Sequence, residues 1–244
     1  MVSVKKYKVL IFDADHTLID YTEDERVALR TLLTELGIEP TDETLKECNR
    51  ISEKTWTAAG LYDVHSERIQ REYHRLYRAH TEELFSRVFE KYPCSANPKK
   101  AGERFLELLC EPSKPSEEVF RTLKALGKAY RICIATNGVC DIQRGRTAPL
   151  RGLFERLFIS EEMGFIKPLP AFFAYILCEM QVQKEDCLMI GDSLFSDIAG
   201  AKAAGIDSCW LNGKGVKNTT EFVPTHEIGK IEELIDLLRI AERR

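Results

Sequence analysis

Two aspartates, Asp13 and Asp15, stand at the end of the apolar run YKVLIF, with Thr17 two places on. Paired carboxylates at the mouth of a buried strand repel each other, and burying either one unpaired is costly. A metal ion or an anionic substrate would account for both. Further along, Thr136, Asn137 and Gly138 follow the apolar run RICIA, Lys167 follows LFIS by a short loop, and Asp192 and Asp197 lie in GDSLFSD after CLMI. Such a set suits a phosphate monoester, which carries about −1.5 to −2 charges near neutral pH and resists attack by a carboxylate unaided. Magnesium prefers oxygen ligands. Asp13 and Asp192 are candidate carboxylate ligands, the Asp15 main-chain carbonyl a third, and Asp197 a group behind them that could orient metal-bound water. Asp13 then suits the nucleophile. Asp15 suits the acid that serves the leaving alcohol and afterwards the base that activates water. Lys167 would offset the negative charge, and the Thr136 hydroxyl with the amides around Asn137 and Gly138 would donate to phosphoryl oxygens.

These groups need elements that bring them to one place. YKVLIF reads as a buried strand. From Glu23 to about Ala101 the pattern turns helical. Val27, Leu29, Leu32, Leu33 and Leu36 form one apolar stripe ending at Gly37, and the acidic run EDER suits a first helical turn. Leu45–Leu61, Ile69–Tyr92 and Asn97–Cys110 read as further amphipathic helices. After Pro115, helices alternate with short strands. SEEVFRTLKALG precedes YRICIAT, and a helix from Asp141 to Leu150 precedes RLFIS. PAFFAYILCEM precedes CLMIG, FSDIAGAKAAG precedes DSCWLN, and a strand at THEI precedes the helix KIEELIDLLR. That alternation predicts an α/β fold, a parallel sheet covered on both faces, with the helical block after the first strand inserted into it. Open parallel sheets gather ligands at the carboxyl ends of their strands, which is where all the candidate groups fall. The boundaries expected are a core of residues 1–20 and 111–244 and an insertion of residues 21–110.

Composition narrows the partners. The net charge of −4 offers no basic excess for a nucleic acid polymer or an anionic membrane. No apolar run approaches a membrane span, and VLIF is too short for a signal-peptide core. The eight cysteines include no C-x-x-C pair, and Cys133, Cys178, Cys187 and Cys209 sit in apolar runs as small core residues. A reduced, cytoplasmic protein is expected. Tyr21, Trp56, Tyr62 and Tyr73 could stack on a base, although aromatic residues at such positions more often pack. His74 and His80 are read on a solvated helical face; Gln143 and Arg146, three apart, could share one helical face, and apart from any family resemblance they read as surface polar groups.

The ordered motifs D-A-D-H-T from Asp13, T-N-G from Thr136, K-P at Lys167 and G-D-S-x-x-x-D from Gly191 resemble the four motifs of haloacid dehalogenase (HAD) superfamily phosphatases with a helical cap. The resemblance covers essentially the whole chain. It implies a Rossmann-like parallel sheet core with an all-helical cap domain. It implies Asp13 as nucleophile, Asp15 as acid/base, Thr136 and Lys167 as phosphate-binding groups, and Asp192 and Asp197 serving Mg2+. The stretch T-N-G-x-x-x-x-Q-x-x-R, Thr136 to Arg146, with FERLFISEEMGFIKP, is similar to the YjjG-type branch of pyrimidine 5′-nucleotidases. The family usually reads KPDP where this chain reads KPLP, so Leu169 departs from the third motif at a position outside the core catalytic set.

The expectation is a magnesium-dependent phosphomonoester hydrolase acting through an aspartyl-phosphate on a small-molecule substrate, a pyrimidine nucleoside 5′-monophosphate. Beside a phosphomutase, which shares the first chemical step, three other readings stay open. One is a phosphatase of sugar phosphates such as phosphoglycolate. The second is a 2-haloacid dehalogenase, which needs Asp13 but neither metal nor Asp15. The third is a non-catalytic module that binds a phosphorylated ligand.

Overall fold

The computed structural model describes residues 7–238. Its backbone contacts divide the chain into two units. One comprises the chain up to Asp20, Lys114–Asn137 and the chain from Thr147 on. The other comprises Tyr21–Ser113 and Gly138–Arg146.

The first unit is built on a six-stranded, wholly parallel sheet: β1 (Val9–Phe12), β2 (Arg131–Thr136), β3 (Arg156–Ile159), β4 (Cys187–Gly191), β5 (Asp207–Leu211) and β6 (His226–Ile228). The spatial order is β3-β2-β1-β4-β5-β6. β1 therefore lies between β2 and β4, with Phe12 level with Ile134 on one side and Ile190 on the other. The strand order reverses direction here, and such a switch point opens a crevice at the carboxyl ends of its strands. Strand side chains alternate between faces. Leu10, Phe12, Ile132, Ile134, Leu188 and Ile190 enter one apolar layer, and Val9, Ile11, Cys133, Ala135, Cys187 and Met189 the other. All four residues of β1 are buried, which is why it reads as a continuous apolar run. The expected parallel α/β sheet is present.

The second unit is helical: α1 (Tyr21–Glu35), α2 (Asp42–Ala59), α3 (Glu67–Lys91) and α4 (Pro98–Leu108), joined by a later helix described below. Local chemistry sets its boundaries. The Thr41 hydroxyl accepts from Thr44 N at 3.1 Å to start α2, and Gly60 ends it in the left-handed region. Asn97 caps α4 with Pro98 in its first turn. Leu29, Leu32, Leu33, Cys48, Leu84, Phe85, Val88 and Phe105 are buried. The Phe85 and Phe105 rings meet edge to face, centroids 5.6 Å apart.

The first unit's remaining helices are α5 (Glu117–Leu126), α7 (Ser160–Met163), α8 (Pro170–Met180), α9 (Ala199–Ala204) and α10 (Glu233–Leu237), while α6 (Cys140–Arg146) belongs to the helical unit.

Several expectations are corrected. The segment Gly138–Arg146 groups with the helical unit rather than with the sheet, and that unit continues to Ser113. The helix expected over Asp141–Leu150 is α6 followed by a separate 3-10 turn, Ala148–Leu150. Pro149, lacking an N–H, cannot continue α6. FSDIAGAKAAG opens as a π turn, Leu194–Ile198, before α9. Val27 is exposed on α1, outside the apolar stripe, and Cys178 is exposed on α8. The eight cysteines are all free, with Cys133, Cys187 and Cys209 buried as expected. The last helix of the sequence reading extends to Arg239, which lies outside the described residues. Among the described residues, no helix is long and apolar enough to cross a membrane.

Candidate active site

Asp13 extends the sheet by one residue, its N–H donating to the Ile190 carbonyl at 2.8 Å. The chain then reverses: the Ala14 carbonyl accepts from Leu18 N and Ile19 N, and His16 N donates to Ile19 O at 2.8 Å. The exposed His16 takes the left-handed conformation that this turn requires, φ +59°. Ala14 is buried; by alternation Asp13 and Asp15 point to the opposite side from it. Asp13 is buried and Asp15 half-buried. The Thr17 hydroxyl lies 3.5 Å from Asp13 Oδ2.

Lys167 reaches this point from the loop after α7. Its side chain is 2 % exposed, and Nζ donates to Asp13 Oδ1 at 2.5 Å, Asp197 Oδ1 at 2.7 Å and the Ala135 carbonyl at 2.8 Å. An ammonium has three donors, and all three are engaged. Asp197 is wholly buried, and its other oxygen accepts from Ser193 N at 3.1 Å. Gly191 makes room for this carboxylate, because a Cβ there would collide with Asp197 Oδ2. The π turn that carries Asp197 is started by Ser193, whose hydroxyl accepts from Ser196 N at 3.2 Å. Asp192, half-buried, is held through its carbonyl, which accepts from the Trp210 indole at 2.8 Å.

Thr136 ends β2 wholly buried, next to the half-buried Asn137. The Asn137 amide faces Lys167: Oδ1 accepts from Lys167 N at 2.7 Å and Nδ2 donates to Lys167 O at 2.9 Å. The sequence pointed to the main-chain amides here, not to this side chain. It also missed the carbonyl of Ala135 as a partner of Lys167. Gly138 lies tight against Gln143, whose Cγ would stand 2.7 Å from a Cβ at that position.

Gln143 and Arg146 are corrected from surface polar groups to buried ones, 2 % and 0 % exposed. Arg146 Nη1 donates to Gln143 Oε1 at 3.1 Å, while Nε and Nη2 both stand 2.9 Å from Asp24 Oδ2. No local pattern marks Asp24 as their partner. His80 is corrected from a solvated face to burial, its Nδ1 3.4 Å from the Thr55 hydroxyl, and burial holds its pKa down to about 4. Its ring meets Trp56 edge to face, as do Tyr73 and Tyr77. Tyr73 is a packing residue; Tyr62, also against Trp56, is 63 % exposed. His74 is half-buried.

Carboxylate oxygens of Asp13, Asp192 and Asp197 lie within 4.8 Å of one another. Burial first, and the charge of Asp197 second, push Asp192 up to about 7. Burial likewise pushes Asp13 up, against the pull of Lys167. Burial opposes the Lys167 charge too, but Asp13 and Asp197 outweigh it and hold the ammonium above the usual lysine range. Three carboxyl groups are crowded together with one ammonium, which pairs with two of them, and the donor set is oxygen alone. That chemistry fits a hard divalent cation. The Asp15 side chain stands outside this cluster.

The sequence profile of haloacid dehalogenase-like hydrolases matches residues 7–205. The chain is 31% identical over 240 residues to the HAD-hydrolase YfnB of Bacillus subtilis, covering 97% of each chain. It is 31% identical to the pyrimidine 5′-nucleotidase PynA of Streptococcus pneumoniae, covering 95% of each, and 28% identical to the pyrimidine 5′-nucleotidase YjjG of Escherichia coli, covering 96% of this chain and 98% of that one. A crystal structure of the Bacillus subtilis protein, bound to magnesium, superposes with a TM-score of 0.82 at 31% identity, covering 96% of this chain and 99% of that chain. A 2-haloacid dehalogenase from Pseudomonas syringae pv. Tomato superposes at 0.64 with 25% identity, covering 96% and 98%. The fold, the match over most of the chain and the ordered carboxylates and lysine at one sheet edge together make this chain a member of the haloacid dehalogenase-like hydrolase family.

Proposed function

We propose that this hydrolase cleaves phosphate monoesters, and that its substrates are pyrimidine nucleoside 5′-monophosphates. The observation that carries the chemistry is the contact of Asp13 with Lys167 Nζ at 2.5 Å, beside the carboxylates of Asp192 and Asp197. Asp13 and Asp192, with the Asp15 main-chain carbonyl, would hold a magnesium ion, and Asp197 would add charge behind them. The chemistry such an ion would supply is neutralisation of the negative charge on these carboxylates and on the phosphoryl group.

The chain's own residues then divide the work. An Asp13 oxygen forms a bond to phosphorus as the ester P–O bond breaks, and Asp15 gives a proton to the departing alcohol oxygen. In the second half Asp15 takes a proton from water, whose oxygen bonds to phosphorus while the Asp13 acyl–phosphate bond breaks. Inorganic phosphate leaves, and Asp13 is again a carboxylate. Lys167 stays protonated throughout and holds Asp13 in line. The Thr136 hydroxyl and the amides at Asn137 and Gly138 are read as phosphoryl-oxygen donors. The helical unit is read as a cap that excludes water, with its hinges near Asp20–Thr22 and Glu111–Ser116.

The nucleotide preference is supported by the two pyrimidine 5′-nucleotidases among the relatives. The dehalogenase reading has a structural neighbour in its favour, but dehalogenation has no use for Asp15 or for a crowded carboxylate set. Phosphate release from a panel of 5′-nucleotides and sugar phosphates, with magnesium and with EDTA, tests the proposal. Magnesium-dependent release favouring dUMP, dTMP and UMP is expected. Release from sugar phosphates alone would overturn the nucleotidase assignment, and release from none of the panel would overturn the phosphatase one.

A further inference from the structure

Among the described residues Arg146 is the largest of the wholly buried side chains, and an arginine is rarely buried without a partner for its charge. Its guanidinium donates to Asp24 Oδ2 through Nε, with Nη2 at ion-pair distance from the same oxygen, and to Gln143 through Nη1, and it lies over the Tyr21 ring at 4.8 Å from the centroid. Asp24 is steadied from the other side by the Ser113 hydroxyl, which donates to Oδ1 at 3.1 Å, and Ser113 N donates to the Arg146 carbonyl at 3.2 Å. The backbone of Gly145 sits directly against the Cys110 carbonyl, so that no Cβ fits between them.

The places matter more than the bonds. The chain passes between its two units after Asp20, after Ser113, after Asn137 and after Arg146. Tyr21, Ser113 and Arg146 are the helical unit's own residues at three of those passages, and this one network ties them together. At the fourth, Gly138 is closed over by Gln143, which Arg146 holds.

We infer that Arg146 is a positioning residue: acting through Gln143 and Asp24, it fixes the Gly138 end of the Thr136–Gly138 loop to the helical unit. The other end of that loop is fixed within the sheet unit, where Asn137 holds the Lys167 peptide. The amide of Gly138 is thereby set by the helical unit. Arg146 itself has no exposed surface, so it serves no ligand directly. This inference rests on reading Thr136–Gly138 as the phosphate-binding loop.

The test compares wild type with Arg146→Lys, which keeps the charge and loses the fork; Gly145→Ala, which pushes α6 away from Cys110; and Ser113→Ala, which removes one hydroxyl. Two readouts are taken well below the melting temperature. The first is amide hydrogen exchange of the peptide spanning residues 138–143; the second is kcat and KM for UMP. Exchange should quicken about tenfold or more in that peptide in the first two variants, while peptides around Phe85 and Phe105 keep wild-type protection. KM should rise and kcat fall, together lowering kcat/KM by about tenfold to a hundredfold. Ser113→Ala should show the same pattern at smaller amplitude, and it decides the matter where the other two do not fold. Folded variants with a lower Tm but unchanged exchange at 138–143 and unchanged kcat and KM would overturn the inference. A wild type that releases no phosphate from UMP would defeat the proposed function, and the exchange measurement would still decide whether Arg146 anchors the loop.

Discussion

The Asn137 side chain grips Lys167 by both of its main-chain groups, accepting from the N–H at 2.7 Å and donating to the carbonyl at 2.9 Å. The ammonium at the end of the same residue is spent on Asp13, Asp197 and Ala135 O. Lys167 is thus located at its root by one residue of the second motif and at its tip by carboxylates of the first and fourth.

Asn137→Asp keeps the acceptor and replaces the donor with an oxygen facing the Lys167 carbonyl. The variant should lose about tenfold to a hundredfold in kcat/KM and about 1–3 kcal/mol of stability. Steady-state kinetics and urea melts measure both. Wild-type kinetics in a folded Asn137→Asp protein would remove this residue from the positioning of Lys167.

Asp13→Asn should lower turnover by about a thousandfold or more, because an amide is not a competent nucleophile. The fold should survive, since Asp197 still pairs with Lys167 and one of three crowded carboxylates has become neutral. Phosphate release at the wild-type rate from a preparation shown by mass spectrometry to contain only the asparagine form would sink the assignment.

Chelation should abolish activity, and magnesium should restore it while raising the melting temperature, because an ion that binds only the folded state stabilises that state. Asp192→Asn should weaken both effects together. A melting temperature indifferent to magnesium would speak against a metal between Asp13 and Asp192.

His80 gives a pH dependence with a defined sign. Its pKa is lowered by burial from the usual 6.5 to about 4, so the unfolded chain binds the proton more readily than the folded one. The stability that a neutral His80 contributes is complete above about pH 6.5, is lost as pH falls and is gone near pH 4, a change on the order of 3 kcal/mol. Urea melts between those pH values should show a shallower slope for His80→Gln than for wild type.

Leu169 stands at the N-cap position of α8, before Pro170, with no side-chain cap bond. An aspartate there can accept from the first-turn amides. Leu169→Asp should therefore raise stability by about 0.5–1 kcal/mol with little effect on kcat. An unchanged or lower denaturation midpoint would show that packing of the half-buried leucine outweighs the missing cap.

The sheet was legible because its strands are buried on both faces. VLIF, RICIA and CLMI are short, apolar and bounded by turn residues, and each is followed by the polar group it delivers. The placement of Asp13, Lys167, Asp192 and Asp197 at one edge follows from that pattern and from the strand order. What stayed hidden depends on partners distant in sequence. Arg146 and Gln143 look like surface groups until Asp24, 122 residues earlier than Arg146, is brought against them. His80 lies on a helix rich in charge, and only the ring of Trp56 and the Thr55 hydroxyl reveal its buried side. The Asn137 side chain reads as ordinary turn chemistry, because its bonds run to the main chain of a residue 30 positions away.

The central place of β1 has a consequence for synthesis. Of the six strands this one leaves the ribosome first, yet its two flanking strands begin at Arg131 and Cys187, and Asp13 meets Lys167 across 154 residues. The segment Tyr21–Ser113 can collapse on its own contacts early, while VLIF and its two acids wait unpaired until β2 is made and stay an apolar edge until β4 is. A nascent chain stalled before β4 therefore carries the whole first motif and an incomplete site, and it presents the ribosome's chaperones with a strand whose β4 side nothing yet covers.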